Sequence, residues 1–377
     1  MSNQRKSIPP SDLSDSKFEV LTRRNRFHLW FIIPFILTIA FGNLSSVKSA
    51  NSISNSDMAP EEVELESFIY LPLAISNRMG LMVDPTNREG SKSFYNKYFY
   101  TNETFSWTGD HDSCIPGTTN QGFLNAVIQK VNYYRAMTGV PADITLSSEY
   151  SLYAQAAALL MSVNQNMSHY PPPTWMCYSE EGALGAANSN LLTAFACEGG
   201  KPVKPVAGDI SLMMADYGTS TVGHRRWILY PQTRVMGVGG VPEWGDYWQS
   251  TVLWVTNDDY FSDPRPPTRD GFVAWPPPGY VPHMTAFELW SFSYPDAIFQ
   301  DAHVSMKSGS VDLPVELKTL GQGAGENTLV WQPDGVVTRE DYPPKKDMHY
   351  SVEINNVLIG GEYQDFNYDV IVFDPAN

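Results

Sequence analysis

Apolar positions recur at helical spacing in the first two thirds of the chain and at alternate positions in the last third. Leu124, Val127, Ile128, Val131 and Tyr134 fall at i, i+3, i+4, i+7 and i+10, which is one buried face of a helix over 123–136. Gly139 and Pro141 stop it. A second helix, capped by Ser147 or Ser148 and running to about Asn164, carries Tyr150, Tyr153, Ala154, Ala157 and Met161 on one stripe, with Leu159 and Leu160 beside it. That is the pattern of a helix buried on most sides. A third helix is expected from an Asp209 cap through Tyr217, with Gly218 as its stop. Residues 234–239 and 252–256 read as strands, so an α-plus-β pattern holds up to about Phe261.

Beyond that point the period changes. Residues 263–282 are dense in proline, including Pro276-Pro277-Pro278, and read as a stiff linker. Short alternating runs follow at 303–306, 311–317, 328–331, 350–354 and 368–373, separated by turn residues at the spacing of a β-sandwich, which predicts an all-β domain over 283–377. Trp275, Tyr280, Trp290, Phe292 and Tyr294 fit either a carbohydrate-stacking face or a domain interface.

Charge narrows the partners. The first 50 residues hold seven Lys/Arg and three Asp/Glu of the chain's 25 and 41, so the remainder carries 18 basic against 38 acidic side chains, a net −20. Nucleic acid is therefore excluded as an expected partner. Residues 1–50 read as an export signal: a basic segment ending at Arg26, an apolar run over 29–41 too short to span a bilayer, then small residues near Ser49 and Ala50. Secretion is expected, with a retained membrane anchor as the alternative. Residues 51–116 read as a tether and lead-in segment. Three cysteines in an exported chain leave one over; Cys114 and Cys177 flank the candidate site and are the expected pair, with Cys197 as competitor.

The candidate chemistry centres on residues 218–230, where a lone imidazole, His224, sits between Gly223 and Arg225 ahead of an apolar run. His169 is its natural counterpart, on a loop between a helix end and Pro171-Pro172-Pro173. Acidic groups lie between the two, at Glu180, Glu181, Asp209 and Asp216. Gly218 to Gly223 lacks nucleophile-elbow spacing.

The order helix, helix, His169 on a loop, an acidic and Asn-rich segment, helix, then Gly223-His224-Arg225 leading into Trp227-Ile228-Leu229, resembles the CAP superfamily of SCP-like cysteine-rich secretory and pathogenesis-related proteins, in its bacterial secreted form. Val131-Asn132-Tyr133-Tyr134-Arg135 is similar to that family's opening helix. The resemblance implies an α-β-α sandwich over 117–262; together with the β-sandwich spacing of the runs beyond 283, an α+β chain is expected in which a CAP-like sandwich precedes an immunoglobulin-like one. It also implies a cleft with two histidines and two acidic residues, His169 and His224 matching the histidines. The acidic places match less closely: Glu181 or Glu180 stands near one, the register allows Leu184 there instead, and Asp216 stands in for the other.

Two imidazoles with one or two carboxylates suit a zinc-like divalent cation. Without a metal, the same groups, with Arg225 to orient an anion, suit a small or lipidic ligand or a cell-surface component. The leading expectation is a non-enzymatic binding module. Its rivals are a metal-assisted hydrolase, with His169 and His224 as ligands and Glu181 as base, and an inert structural or adhesion protein.

Overall fold

The computed structural model describes residues 80–196, 200–256, 264–321, 323 and 325–377. The expected export signal, most of the tether and Cys197 lie outside the described residues. No helix among the described residues is long and apolar enough to cross a membrane.

Six α-helices, a short 3-10 turn (His283–Thr285) and thirteen strands are described, in the order α1 (Arg88–Tyr98), α2 (Gln121–Thr138), β1 (Thr145–Leu146), α3 (Ser148–Asn164), α4 (Glu180–Ala187), β2 (Ser189–Ala194), α5 (Asp209–Ala215), α6 (Gly223–Ile228), β3 (Val235–Val241) and β4 (Gln249–Trp254). The strands β5 (Val273–Trp275), β6 (Gly279–Pro282), β7 (Trp290–Ser293), β8 (His303–Ser308), β9 (Val311–Leu313), β10 (Val315–Leu317), β11 (Thr328–Pro333), β12 (Met348–Ile359) and β13 (Glu362–Phe373) follow.

The first sheet runs β1-β3-β4-β2, with β1 parallel to β3 and the other pairs antiparallel. Alternation along β3 serves two layers of helices. Met236 and Val238 enter a core with α2, α5 and α6, while the other face packs on α3 and α4 through Leu191, Val252 and Trp254. Glycine sets the second contact: a Cβ on Gly237 would lie 2.3 Å from the Tyr150 carbonyl carbon, and one on Gly239 2.3 Å from that of Ala154. The α3 backbone therefore rests directly on the strand.

Ser147 caps α3, accepting from the Tyr150 N–H, as its sequence position predicts. Helix α5 ends sooner than expected: Asp216, at φ 56°, is its left-handed terminator, and Tyr217 and Gly218 fall outside it. Aspartate tolerates that conformation because its short polar side chain can bond locally. Helices α4 and α6 are not marked by apolar periodicity, being too short and too rich in Gly, Ala and Arg to show a stripe.

The last third forms two sheets, β10-β11-β7-β5 and β6-β13-β12-β8-β9. They share one core, with Trp290, Phe292, Leu329 and Trp331 from the first meeting Tyr350, Val352, Val370 and Val372 from the second. The Pro-rich stretch is not a free linker: β5 and β6 come from it, each on the edge of its sheet, where proline's missing N–H leaves no ladder bond unmade. Nor do the aromatics in and after it form a stacking face. Trp275, Trp290 and Phe292 are fully buried, and Trp275 joins Tyr134 and Phe287 in the core of the helical part. Residues 80–377 fall within one compact unit.

Candidate functional site

The disulfide expected between Cys114 and Cys177 is present, with Cα atoms 5.1 Å apart and a sequence separation of 63. It ties the lead-in segment to the loop that follows His169.

His224 occupies the second position of α6, and the turn before it is built to aim it. Val222, the residue before the helix, is fully buried at φ 45°, a conformation that costs a β-branched side chain about 1–3 kcal/mol. A valine there cannot cap the helix through its side chain; Asp216 does so instead, its Oδ2 accepting from the His224 N–H at 2.9 Å. The other oxygen, Oδ1, lies 2.7 Å from His224 Nδ1. The Asp216 side chain is 1% exposed and that of His224 29%, so the carboxylate is sealed behind a ring that reaches solvent.

His169 is exposed, and its Nδ1 lies 2.8 Å from the Ala186 carbonyl near the end of α4. A carbonyl only accepts, and an ionised carboxylate only accepts, so both rings carry their proton on Nδ1 when neutral. Each Nε2 then presents a lone pair that is not used by any hydrogen bond among the described residues. The His169 ring and the His224 backbone are anchored on one short stretch of chain: the Ala186 carbonyl holds His169 Nδ1, and Asn190 in β2 donates to the His224 carbonyl at 3.0 Å. Those anchors are four positions apart, a span of at most about 14 Å. Asn190 and the Ala186 carbonyl are the positioning groups that side-chain chemistry alone does not advertise.

The remaining expected residues go elsewhere. Glu180 and Glu181 are exposed in the first turn of α4, where they complement the helix dipole. That is the far end of the helix from Ala186, about 7–9 Å along its axis. Neither bonds to a histidine, so the base assigned to Glu181 and the binding role given to both are not supported.

Arg225 is also redirected. It is 1% exposed and donates to the Met214, Ala215 and Leu289 carbonyls and to Ser291 Oγ, with its nearest bonds at 2.6 Å and 2.8 Å. Consecutive helical residues point about 100° apart, so a His224 turned outward sends Arg225 inward. Burial pulls its guanidinium down to about 10, and the Asp216 charge opposes that fall. Arg226 follows, donating to the Glu326 carbonyl, and burial likewise pulls it down to about 10.

From the other side, the fully buried Arg135 of α2 donates to the carbonyls of Ile228, Tyr230 and Thr233 and fixes the chain that leaves α6. It lies in the sequence segment that resembles the family's opening helix, and its signal was a cation at the end of an apolar helix.

The metal reading does not fit this donor set. Among the described residues, no group of three or more His, Cys, Asp or Glu is placed to hold a metal ion. Asp216 already faces His224 with both oxygens, which leaves two imidazoles without a third protein ligand.

Residues 128–257 match the family model described as CAP, the cysteine-rich secretory protein family, and the chain thus carries a CAP domain over that span. No curated protein matches the chain. Among solved structures, PcoC, a methionine-rich copper resistance protein from Escherichia coli, is 15% identical over 26% of this chain and 92% of its own, with a TM-score of 0.20. Its selenomethionine form gives the same identity, TM-score and share of this chain, and 94% of its own. At that score the likeness carries no argument.

Proposed function

We propose that this CAP-domain chain is a secreted, metal-independent binding protein whose two-histidine site takes a neutral, hydroxyl-rich ligand of the cell surface, a saccharide being the chemistry that fits. The observation that carries this reading is that both imidazoles are held at Nδ1 by acceptor oxygens, which leaves each Nε2 as the ring's hydrogen-bond acceptor. Two fixed acceptors and no cation suit a ligand rich in O–H donors. The surplus of carboxylates beyond residue 50 disfavours an anionic one. The C-terminal pair of sheets serves in this reading as an immunoglobulin-like module that supports the site.

The test is an oligosaccharide array read with the full-length protein and with His169→Asn and His224→Asn. Asparagine keeps a donor where Nδ1 stands and removes Nε2, so Asp216 is not left unpaired. Each variant is expected to lose at least tenfold in affinity for whatever the parent retains. Unchanged binding in both variants, or stoichiometric zinc that survives dialysis, overturns the reading.

One observation favours a second reading, hydrolysis. A buried carboxylate 2.7 Å from an imidazole is the base and orienter of an acyl-transfer site. No Ser, Thr or Cys side chain bonds to either histidine among the described residues, so the nucleophile would be water. Peptide-bond cleavage in casein that His224→Asn abolishes would support it.

A further inference from the structure

The disulfide that fastens the His169 loop is open to attack. Cys114 is exposed and Cys177 half-buried, so a small thiol can reach the bridge in the folded protein. Both half-cystines also sit in the left-handed region, at φ 54° and 59°, which is disfavoured for a residue with a Cβ. Exposed and strained bridges are the labile ones. A separate detail points the same way: the Cys177 sulfur lies 3.7 Å from the His111 carbonyl, where a thiol can donate and a disulfide cannot. The reduced form thus has an acceptor in place.

Each flank of the bridge is also held without it. Asn164, at the end of α3, clamps Met176 with both ends of its amide, Oδ1 accepting from the Met176 N–H at 3.0 Å and Nδ2 donating to its carbonyl at 2.9 Å. The turn that carries Cys114 is closed by two bonds of 2.9 Å between Asp110 and Ile115. Tyr247 fixes that turn, donating to Asp112 at 3.0 Å and stacking on His111. Between the flanks, residues 167–174 bond beyond their own turn at two points among the described residues: the Ser168 N–H to Met161 Sδ at 3.4 Å, and His169 Nδ1 to the Ala186 carbonyl at 2.8 Å. His169 is thus held by one bond of its own and by the bridge that follows it.

We propose that the bridge between Cys114 and Cys177 is a thiol-operated latch that sets the position of His169. The opening reagent is a small dithiol. One of its thiolates attacks the exposed Cys114 Sγ, the S–S bond breaks, and Cys177 leaves as a thiolate that takes up a proton. The second thiol then displaces Cys114 and closes the reagent's own disulfide, so two electrons and two protons pass to the protein. An oxidising medium keeps the latch closed. What the latch means for binding rests on the two-histidine reading, whereas the movement of His169 is tested without a ligand.

The full-length protein is treated with dithiothreitol in the absence of denaturant. Alkylation with peptide mass spectrometry reads Cys114 and Cys177, and NMR reads the imidazole nitrogens. Both cysteines are expected to be reduced at least about tenfold faster than the chain unfolds globally in the same buffer. The His169 resonances should shift while those of His224 stay, and oxidised glutathione should restore the parent spectrum. The double variant Cys114→Ser, Cys177→Ser should show the same His169 shift with no reagent. A bridge reduced only at the rate of unfolding overturns the proposal, as does a reduced protein that is unfolded or that keeps His169 unchanged. A His169 that moves while oligosaccharide binding stays the same supports the latch and counts against the binding site instead.

Discussion

Replacing Arg225 by methionine tests whether the His-Asp site and the C-terminal sheets are one construction. The substitution keeps an unbranched side chain of similar reach and deletes every donor. Four acceptors lose a partner: the Met214 and Ala215 carbonyls at the end of α5, the Leu289 carbonyl, and Ser291 Oγ in β7. A buried polar group left unsatisfied costs about 1–3 kcal/mol. Against this, the guanidinium is itself expensive to bury, which is why it is pulled down to about 10. Breaking a buried charged network from one side nevertheless destabilises by about 3–5 kcal/mol, and that is the loss expected here. Arg225→Lys should recover little of it, because one ammonium cannot reach carbonyls on α5 and the Leu289 carbonyl together. Urea unfolding followed by tryptophan fluorescence measures the change, and the His224 imidazole nitrogen resonances report whether the Asp216 contact survives. A methionine variant within about 1 kcal/mol of the parent, or a lysine variant that restores full stability, would falsify the clamp.

Three further outcomes follow from local geometry. Burial pushes the Asp209 carboxyl up to about 6, although Thr251, Val206 and Gln249 all donate to its Oδ2. The folded state then holds its proton more tightly than the unfolded one, so the group's contribution is full below pH 3.8 and is lost as pH rises to about 6, by up to about 3 kcal/mol. Asp209→Asn keeps the acceptor and should be more stable than the parent at pH 8 and equal to it at pH 3.5; the opposite order in chemical unfolding refutes the assignment. Cys114→Ser opens a loop of 63 residues and should cost about 4 kcal/mol, read as a fall in Tm that reductant reproduces in the parent. Gly237→Ala, whose Cβ would meet the α3 backbone at 2.3 Å, should cost about 1–3 kcal/mol or more, whereas Gly223→Ala meets nothing within 4 Å and should be neutral or stabilising. Equal melting temperatures for those two variants would contradict the packing described.

What the sequence made legible was set by how far each feature depends on side-chain type. Helices α2 and α3 were readable because Leu124 to Tyr134 and Tyr150 to Met161 repeat at 3.6, and His169 and His224 because an imidazole beside Gly or a Pro-bounded loop is uncommon. The Ala186 carbonyl that orients His169 was not readable, since every residue has a carbonyl and only the fold selects one. Asp216 was visible as a carboxylate in the right segment, but its capping of α6 follows from Val222 being unable to do so. The edge strands β5 and β6 were hidden by the prolines between and within them, which argue against a strand interior and are silent about an edge.

Arg225 marks the limit most clearly, and it also constrains function. Read as a motif, Gly-His-Arg offers an imidazole and a guanidinium to the same ligand. Read as a helix turn, it separates them: His224 looks outward with Asp216 behind it, Arg225 binds the carbonyls of Met214 and Ala215 just before Asp216, and the same guanidinium holds Leu289 and Ser291. Arg226 then engages Glu326, and Trp275 and Phe287 complete the core under α2. His224 is thus one residue away from a contact with the C-terminal sheets, and Asp216 is linked to the same contact through the Ala215 carbonyl and Arg225. Loosening the sheets would release Arg225 from Leu289 and Ser291, and Arg225 is the residue that also holds the chain just before Asp216. The C-terminal sheets are therefore part of how the site is held.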